Sequence, residues 1–199
     1  MNMDGKQLKA AIGRVCKGLH GAAAELNELD GALGDGDLGA TLDKCATNVE
    51  SALPQMNDDI SSIFAQTSAA CAKASGSSFG TLLAVALLTS AKRTKCEIAL
   101  TRTTVAGLMH EIVSVLSARG GASLGDKTVL DSLDAVGQML NAANDDDNLR
   151  DAAQRAAGHA LELYRHKPNR IGRARMFTEK SVGLDDPGMV ALLRMIESA

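Results

Sequence analysis

Residues 30–41 read DGALGDGDLGAT, with three aspartates and four glycines in twelve positions, set between two stretches of helical periodicity. A helix-connecting loop in which Asp caps and Gly turns is the ordinary reading of such a cluster. One aspartate is enough for a cap, however. Three carboxylates at 30, 35 and 37 repel one another unless a cation sits among them. Glycines at 34, 36 and 39 leave the backbone free to bring those oxygens together. An oxygen-only ligand set selects a hard cation, Mg²⁺ or Ca²⁺. The calcium-loop pattern fails, because counting from Asp35 the fifth and sixth positions are Gly39 and Ala40 and the twelfth is Ala46 rather than Glu. Mg²⁺, held by few carboxylates together with substrate phosphates, fits better.

Outward from this stretch the chain reads as helices separated by turn signals. Leu8, Ile12, Cys16, Leu19, Ala23 and Leu26 recur at three or four residues and predict a helix over 5–28. The acidic loop interrupts it, and a second helix follows over 38–51, stopped near Pro54. Asp58 or Asp59 caps a third, running to about Lys73. The apolar segment 79–90 reads as a fourth helix, buried on most sides. A fifth runs from Thr103 or Thr104 to Ser117 and ends at the glycines 120–121. A sixth begins after GDKT with Val129, Leu133, Val136 and Leu140 on one stripe. Asp145–Asp147 signal a turn and the cap of a seventh over 147–165, and Pro187 opens an eighth over 187–198. No convincing strand is found. Residues 166–188 form a loop long enough to suggest a functional role.

Composition agrees with one helical domain spanning 1–199. The chain is 45% hydrophobic, rich in Ala and Leu, with three Phe, one Tyr and no Trp. A net charge of −3 gives no reason to expect a nucleic-acid or lipid-headgroup surface. Leu82–Leu88 is too short to span a bilayer, and the N-terminal residues lack the apolar core of a signal peptide. Cysteines at 16, 45, 71 and 96 show no metal-ligand spacing and are expected to be reduced, buried thiols of a cytoplasmic protein.

Other stretches bear on phosphate. GGASLGDKT (120–128) imitates a Walker loop, but Asp126 intrudes before the lysine and the preceding element reads as helix. A helix start with exposed N–H groups can still hold a nucleotide by simpler means. ASGSSFGT (74–81) suits close helix packing and phosphate binding equally well. Arg173 lies in the long loop ahead of Asp186–Pro187–Gly188. The histidines at 20, 110, 159 and 166 are scattered, and no nucleophile–histidine grouping can be read from the chain.

LDGALGDGDLGATL, KASGSSFGTLL, RGGASLGDKTVLDSL and GRARMFTEKSVGLDDPG together resemble the signature blocks of the dihydroxyacetone kinase L subunit family, in the same order and over nearly the whole chain. The resemblance implies an all-α fold, a closed barrel of eight mostly antiparallel amphipathic helices with a nucleotide at one end. It implies two Mg²⁺ ions held by Asp30, Asp35 and Asp37. Leu38, Gly39, Ala40 and Thr41 would lie against ADP or ATP, and Ala74 and Ser75 would contact phosphate, with Gly76 allowing close approach. Gly120 and Val129 would border the adenine, while Arg173, Asp186, Pro187 and Gly188 would close the site. Leu38 stands where relatives frequently have His, Ser77–Ser78 where they have Pro and an apolar residue, and Val129 where they often have Met.

The same resemblance places the ketose on a separate K-type subunit, so no catalytic base is expected in this chain. An M-type phosphoryl-donor subunit, a transcription regulator and a homodimeric state are further expectations. Three rivals stand beside this reading: the same module serving another ketose or a fatty acid kinase, a nucleotide-dependent regulatory module, and a helical bundle without a ligand.

Overall fold

The computed structural model describes residues 2–74, 77–144 and 148–199. Eight α-helices account for most of them: α1 (Gly5–Leu33), α2 (Leu38–Ala52), α3 (Ile60–Ala72), α4 (Ser78–Arg93), α5 (Arg102–Gly120), α6 (Val129–Ala142), α7 (Leu149–Arg165) and α8 (Pro187–Ser198). Each packs against its neighbours in sequence, and α8 returns to α1, which closes the ring. Short connections between most consecutive helices turn neighbours antiparallel. The Arg194 guanidinium on α8 clasps the Glu25 carboxylate on α1 with bonds of 2.6 and 2.8 Å across that closing seam. No helix of the described residues is long and apolar enough to cross a membrane.

Local chemistry accounts for the helix boundaries. Asp4 and Gln7 form a capping box at the start of α1, and Asp59 accepts from Ser62 N to start α3. Thr128 and Asp131 form a second box at α6, and Asp186 accepts from Met189 N ahead of Pro187 at α8. Gly121 ends α5 with φ 71°, the left-handed cap that favours glycine. The apolar stripe read from Leu8 to Leu26 faces inward, with Leu26 and Leu42 fully buried where α1 meets α2.

Several expectations need correction. Helix α1 continues to Leu33, so Asp30 belongs to its last turn and only residues 34–37 form the break. Two short strands exist, Asn2–Met3 (β1) and Leu100–Thr101 (β2), paired antiparallel where the chain start crosses the entry to α5. Asn148, whose side chain accepts from Asp151 N, caps α7, and Asp145–Asp147 lie outside the described residues. The long loop holds a 3₁₀ segment, Arg173–Ser181. Cys96 is exposed, unlike the other three cysteines. Helix α4 is not enclosed on most sides. Leu82 to Leu87 are half-buried and Leu88 is exposed, and the N-terminal end of α4, from Ser78 to Leu82, borders a cleft.

Candidate functional site

A cleft of about 540 Å³ opens at one end of the barrel, a size suited to a nucleotide-sized ligand. Alternation of helix direction explains its place. Leu38, Ser78, Val129 and Pro187, the first residues of α2, α4, α6 and α8, all line it. Four helix N-termini therefore point their positive ends into one cleft, a field that favours an anion. Side chains cap three of the four. Ser77 makes no such bond at the head of α4, where no side chain of the described residues caps the first N–H groups.

On one wall sit the three aspartates, each offering an oxygen within 4.8 Å of the others. Asp30 in the last turn of α1 accepts from the backbone of Asp37 at 2.9 Å and of Leu38 at 3.3 Å, so α1 supplies the cap of α2. Asp37 makes no capping bond of its own. Gly36 takes φ 74°, which turns the backbone tightly enough to bring Asp35 and Asp37 together. Arg173 crosses the cleft and pairs with Asp35. The donor chemistry, three carboxylates converging beside helix N-termini, fits a hard divalent cation shared with an anionic ligand.

Asp30, Asp35, Asp37, Leu38, Gly120, Val129, Arg173, Asp186, Pro187 and Gly188 share the lining of this cleft. Gly39, Ala40, Thr41 and Ala74 are not part of its lining. Gly39 lies against the Ala23 carbonyl, Ala40 N donates to Asn27 Oδ1 at 3.0 Å, the Thr41 methyl faces Gly80, and Ala74 is buried in the core. Ser75 and Gly76 lie outside the described residues. Sequence reasoning missed Phe79, Leu82, Leu116 and Ile171, an apolar patch in the same cleft, and Arg119 beside it. Phe79 and Leu82 sit one turn apart at the start of α4, the only signal that pointed to them.

Enclosure pushes the Asp186 carboxyl from 3.8 up to about 6, although bonds from Met189 N and the Asn169 amide oppose the shift. The native state thus holds this proton more tightly than the unfolded chain. Its contribution to stability is most favourable near pH 4 and falls as pH rises toward 6, a loss of about 3 kcal/mol at neutral pH. Asp186→Asn keeps one oxygen for the cap, sets its amide against the Asn169 donor and removes the charge. The variant gives up the acceptor that the Asn169 amide uses, so its stability carries a constant offset, but its melting temperature is expected to fall less than the parent's between pH 4 and pH 8. Melting curves of both proteins across that range check it.

The chain is similar to known proteins. Residues 32–199 match the family model described as DAK2 domain. The chain is 29% identical over 199 residues to human triokinase/FMN cyclase, covering 97% of this chain and 34% of that protein. It is 28% identical over 176 residues to the ADP-binding subunit of the PTS-dependent dihydroxyacetone kinase of Lactococcus lactis, covering 88% and 85%. The dihydroxyacetone kinase of C. freundii, solved in complex with AMP-PNP and Mg²⁺, superposes with a TM-score of 0.76 at 23% identity over all of this chain and 34% of that one. The chain thus spans about a third of the length of the larger relatives and most of the length of the single subunit.

Proposed function

The chain belongs to the DAK2 domain family, and from that premise we propose that residues 1–199 act as one Mg²⁺–nucleotide-binding module of a phosphotransferase. The acceptor, a ketose such as dihydroxyacetone, is held on a separate K-type subunit. The observation that carries this reading is the convergence of Asp30, Asp35 and Asp37 with four helix N-termini on one cleft. ADP or ATP would place its base against Phe79, Leu82, Leu116 and Val129 and its phosphates between the start of α4 and the aspartates. Two Mg²⁺ ions held by the three carboxylates would neutralise the phosphates and the charge that develops on the transferred group. Arg173, released from Asp35 by the cation, would turn its guanidinium to phosphate.

In this reading deprotonation of the acceptor falls to the partner. Leu124, Met176, Val182 and Leu184 are exposed on the two loops beside the cleft, as suits a surface that meets such a partner. Contacts with an M-type donor subunit or a transcription regulator, and a homodimeric state, complete the proposal. Mixing the protein with a K-type subunit, Mg²⁺ and ATP should convert a ketose to its phosphate ester. Absence of transfer to every member of a panel of three- and four-carbon ketoses, with nucleotide bound, would count against the kinase role. In the same assay Met176→Asp should lower turnover at least tenfold at subsaturating partner, while the affinity for nucleotide stays within twofold.

A further inference from the structure

Two loops form lips beside the cleft, residues 121–128 between α5 and α6 and residues 166–186 between α7 and α8. A single ammonium group ties one to the other. Lys127 is fully buried, and its Nζ donates to the carbonyls of Ser181 at 2.7 Å, Lys167 at 2.9 Å and Arg165 at 3.2 Å. These acceptors use all three donors of the ammonium. Arg165 ends α7 and Ser181 ends the 3₁₀ segment, so the cation sits at the negative ends of two helical elements. That placement offsets much of the cost of burying the charge.

The backbone of the same residue reaches the other way. Lys127 takes φ 62°, an uncommon conformation for a side-chain-bearing residue. Its carbonyl accepts from the Asn169 amide, which also donates to Asp186 Oδ2, both at 2.9 Å. The next residues, Thr128 and Val129, line one wall of the cleft, and Ile171 to Ala174 and Asp186 line another. Arg170 N donates to Asp126 O at 3.1 Å, the only other bond that joins the two lips besides those of Lys127 among the described residues.

Resting on the nucleotide reading above, we propose that Lys127 is a positioning residue that sets the spacing of the two lips, and through it the affinity for nucleotide, without touching the ligand. Its Nζ is sealed from the cleft by the carbonyls it serves. Methionine would match the length of the stem and take the ammonium from all three carbonyls, leaving Arg165 O with Gly183 N alone and Ser181 O with Leu184 N alone, and cutting the tie to the 127 lip. Glutamine would restore two donors.

The test uses the full chain with Mg²⁺ and ADP, titrated by calorimetry well below the melting temperature. Lys127→Met is expected to raise the Kd at least tenfold with helicity retained, and Lys127→Gln less. Without nucleotide, tryptic cleavage after Arg170, Arg173 or Arg175 should speed up severalfold in the Met variant. Glu25→Gln, which weakens the α1–α8 seam away from the lips, is the control and should lower the melting temperature with Kd unchanged. A folded Met variant with Kd within twofold of the parent and an unaltered tryptic rate would overturn the proposal. So would an equal loss of affinity in Glu25→Gln, since that would mark a general effect of stability. If the Met variant does not fold, Lys127→Gln decides by the same two measurements. If the parent protein binds no Mg²⁺–ADP, the nucleotide reading itself fails; the tryptic comparison then decides the lip tie alone, and unchanged cleavage overturns it.

Discussion

Asp35→Ala is expected to cost the protein at least a hundredfold in Mg²⁺-dependent affinity for ADP and almost nothing in folding stability. Removing an outer-shell partner of a bound metal already costs about 10–100-fold, and a direct ligand should cost no less. A hundredfold loss corresponds to about 2.7 kcal/mol. Stability should hardly move, because what Asp35 gives up in the apo protein is an exposed pair with Arg173, worth about 0–1 kcal/mol. Relief of repulsion from Asp30 and Asp37 offsets part of that. Asp30→Ala should behave differently. Its carboxylate also caps α2 through Asp37 N and Leu38 N, so this variant loses affinity and about 0.5–2 kcal/mol of stability. Calorimetric titration beside melting curves separates the two. Equal stability loss in both variants would contradict the division of labour between the aspartates.

Gly39→Ala should be among the most destabilising single-methyl changes in the chain. A Cβ at Gly39 would collide with the Ala23 carbonyl and press on Asn27 Oδ1. The carbonyl belongs to the body of α1 and cannot swing aside as a flexible side chain would. Overpacking against rigid backbone costs about 1–3 kcal/mol or more, which for a domain of this size lowers the melting temperature by roughly 2–12 °C. Relief by pushing α2 outward would carry Asp37 and Leu38 with it, so weaker Mg²⁺–ADP binding should accompany the lower melting point. Gly158→Ala supplies the contrast. Nothing lies within 4 Å of a Cβ there, and alanine in the interior of α7 should stabilise by about 0.5–1 kcal/mol. A Gly39→Ala protein as stable as the parent would show that α1 and α2 do not meet as closely as described.

Local chemistry left most of the barrel readable. Asp59, Thr128 and Pro187 sit where capping rules place helix starts, and Gly121 where a left-handed cap ends α5. The crowding of Asp30, Asp35 and Asp37 pointed to a cation because charge repulsion is a local argument. What stayed hidden depends on partners far along the chain. Nothing near Asp30 announces that it rounds off α1 while capping α2. Lys127 lies in a glycine-rich loop that only imitates a Walker loop, and its three acceptors lie 38, 40 and 54 residues away. The apolar run 79–90 predicts enclosure, but at the rim of a closed ring such a helix faces a cleft as well as the core. Two-residue strands and a 3₁₀ segment leave too short a period for any pattern to register.

On the reading proposed above, one end of this barrel binds a nucleotide through divalent cations held by Asp30, Asp35 and Asp37. Calorimetric titration of the purified, nucleotide-stripped protein with ADP, with Mg²⁺ and then with EDTA, tests it most directly. Saturable binding of one ADP per chain in Mg²⁺, abolished by EDTA, is the expected result. Absence of binding in Mg²⁺, or binding that EDTA leaves unchanged, would contradict it.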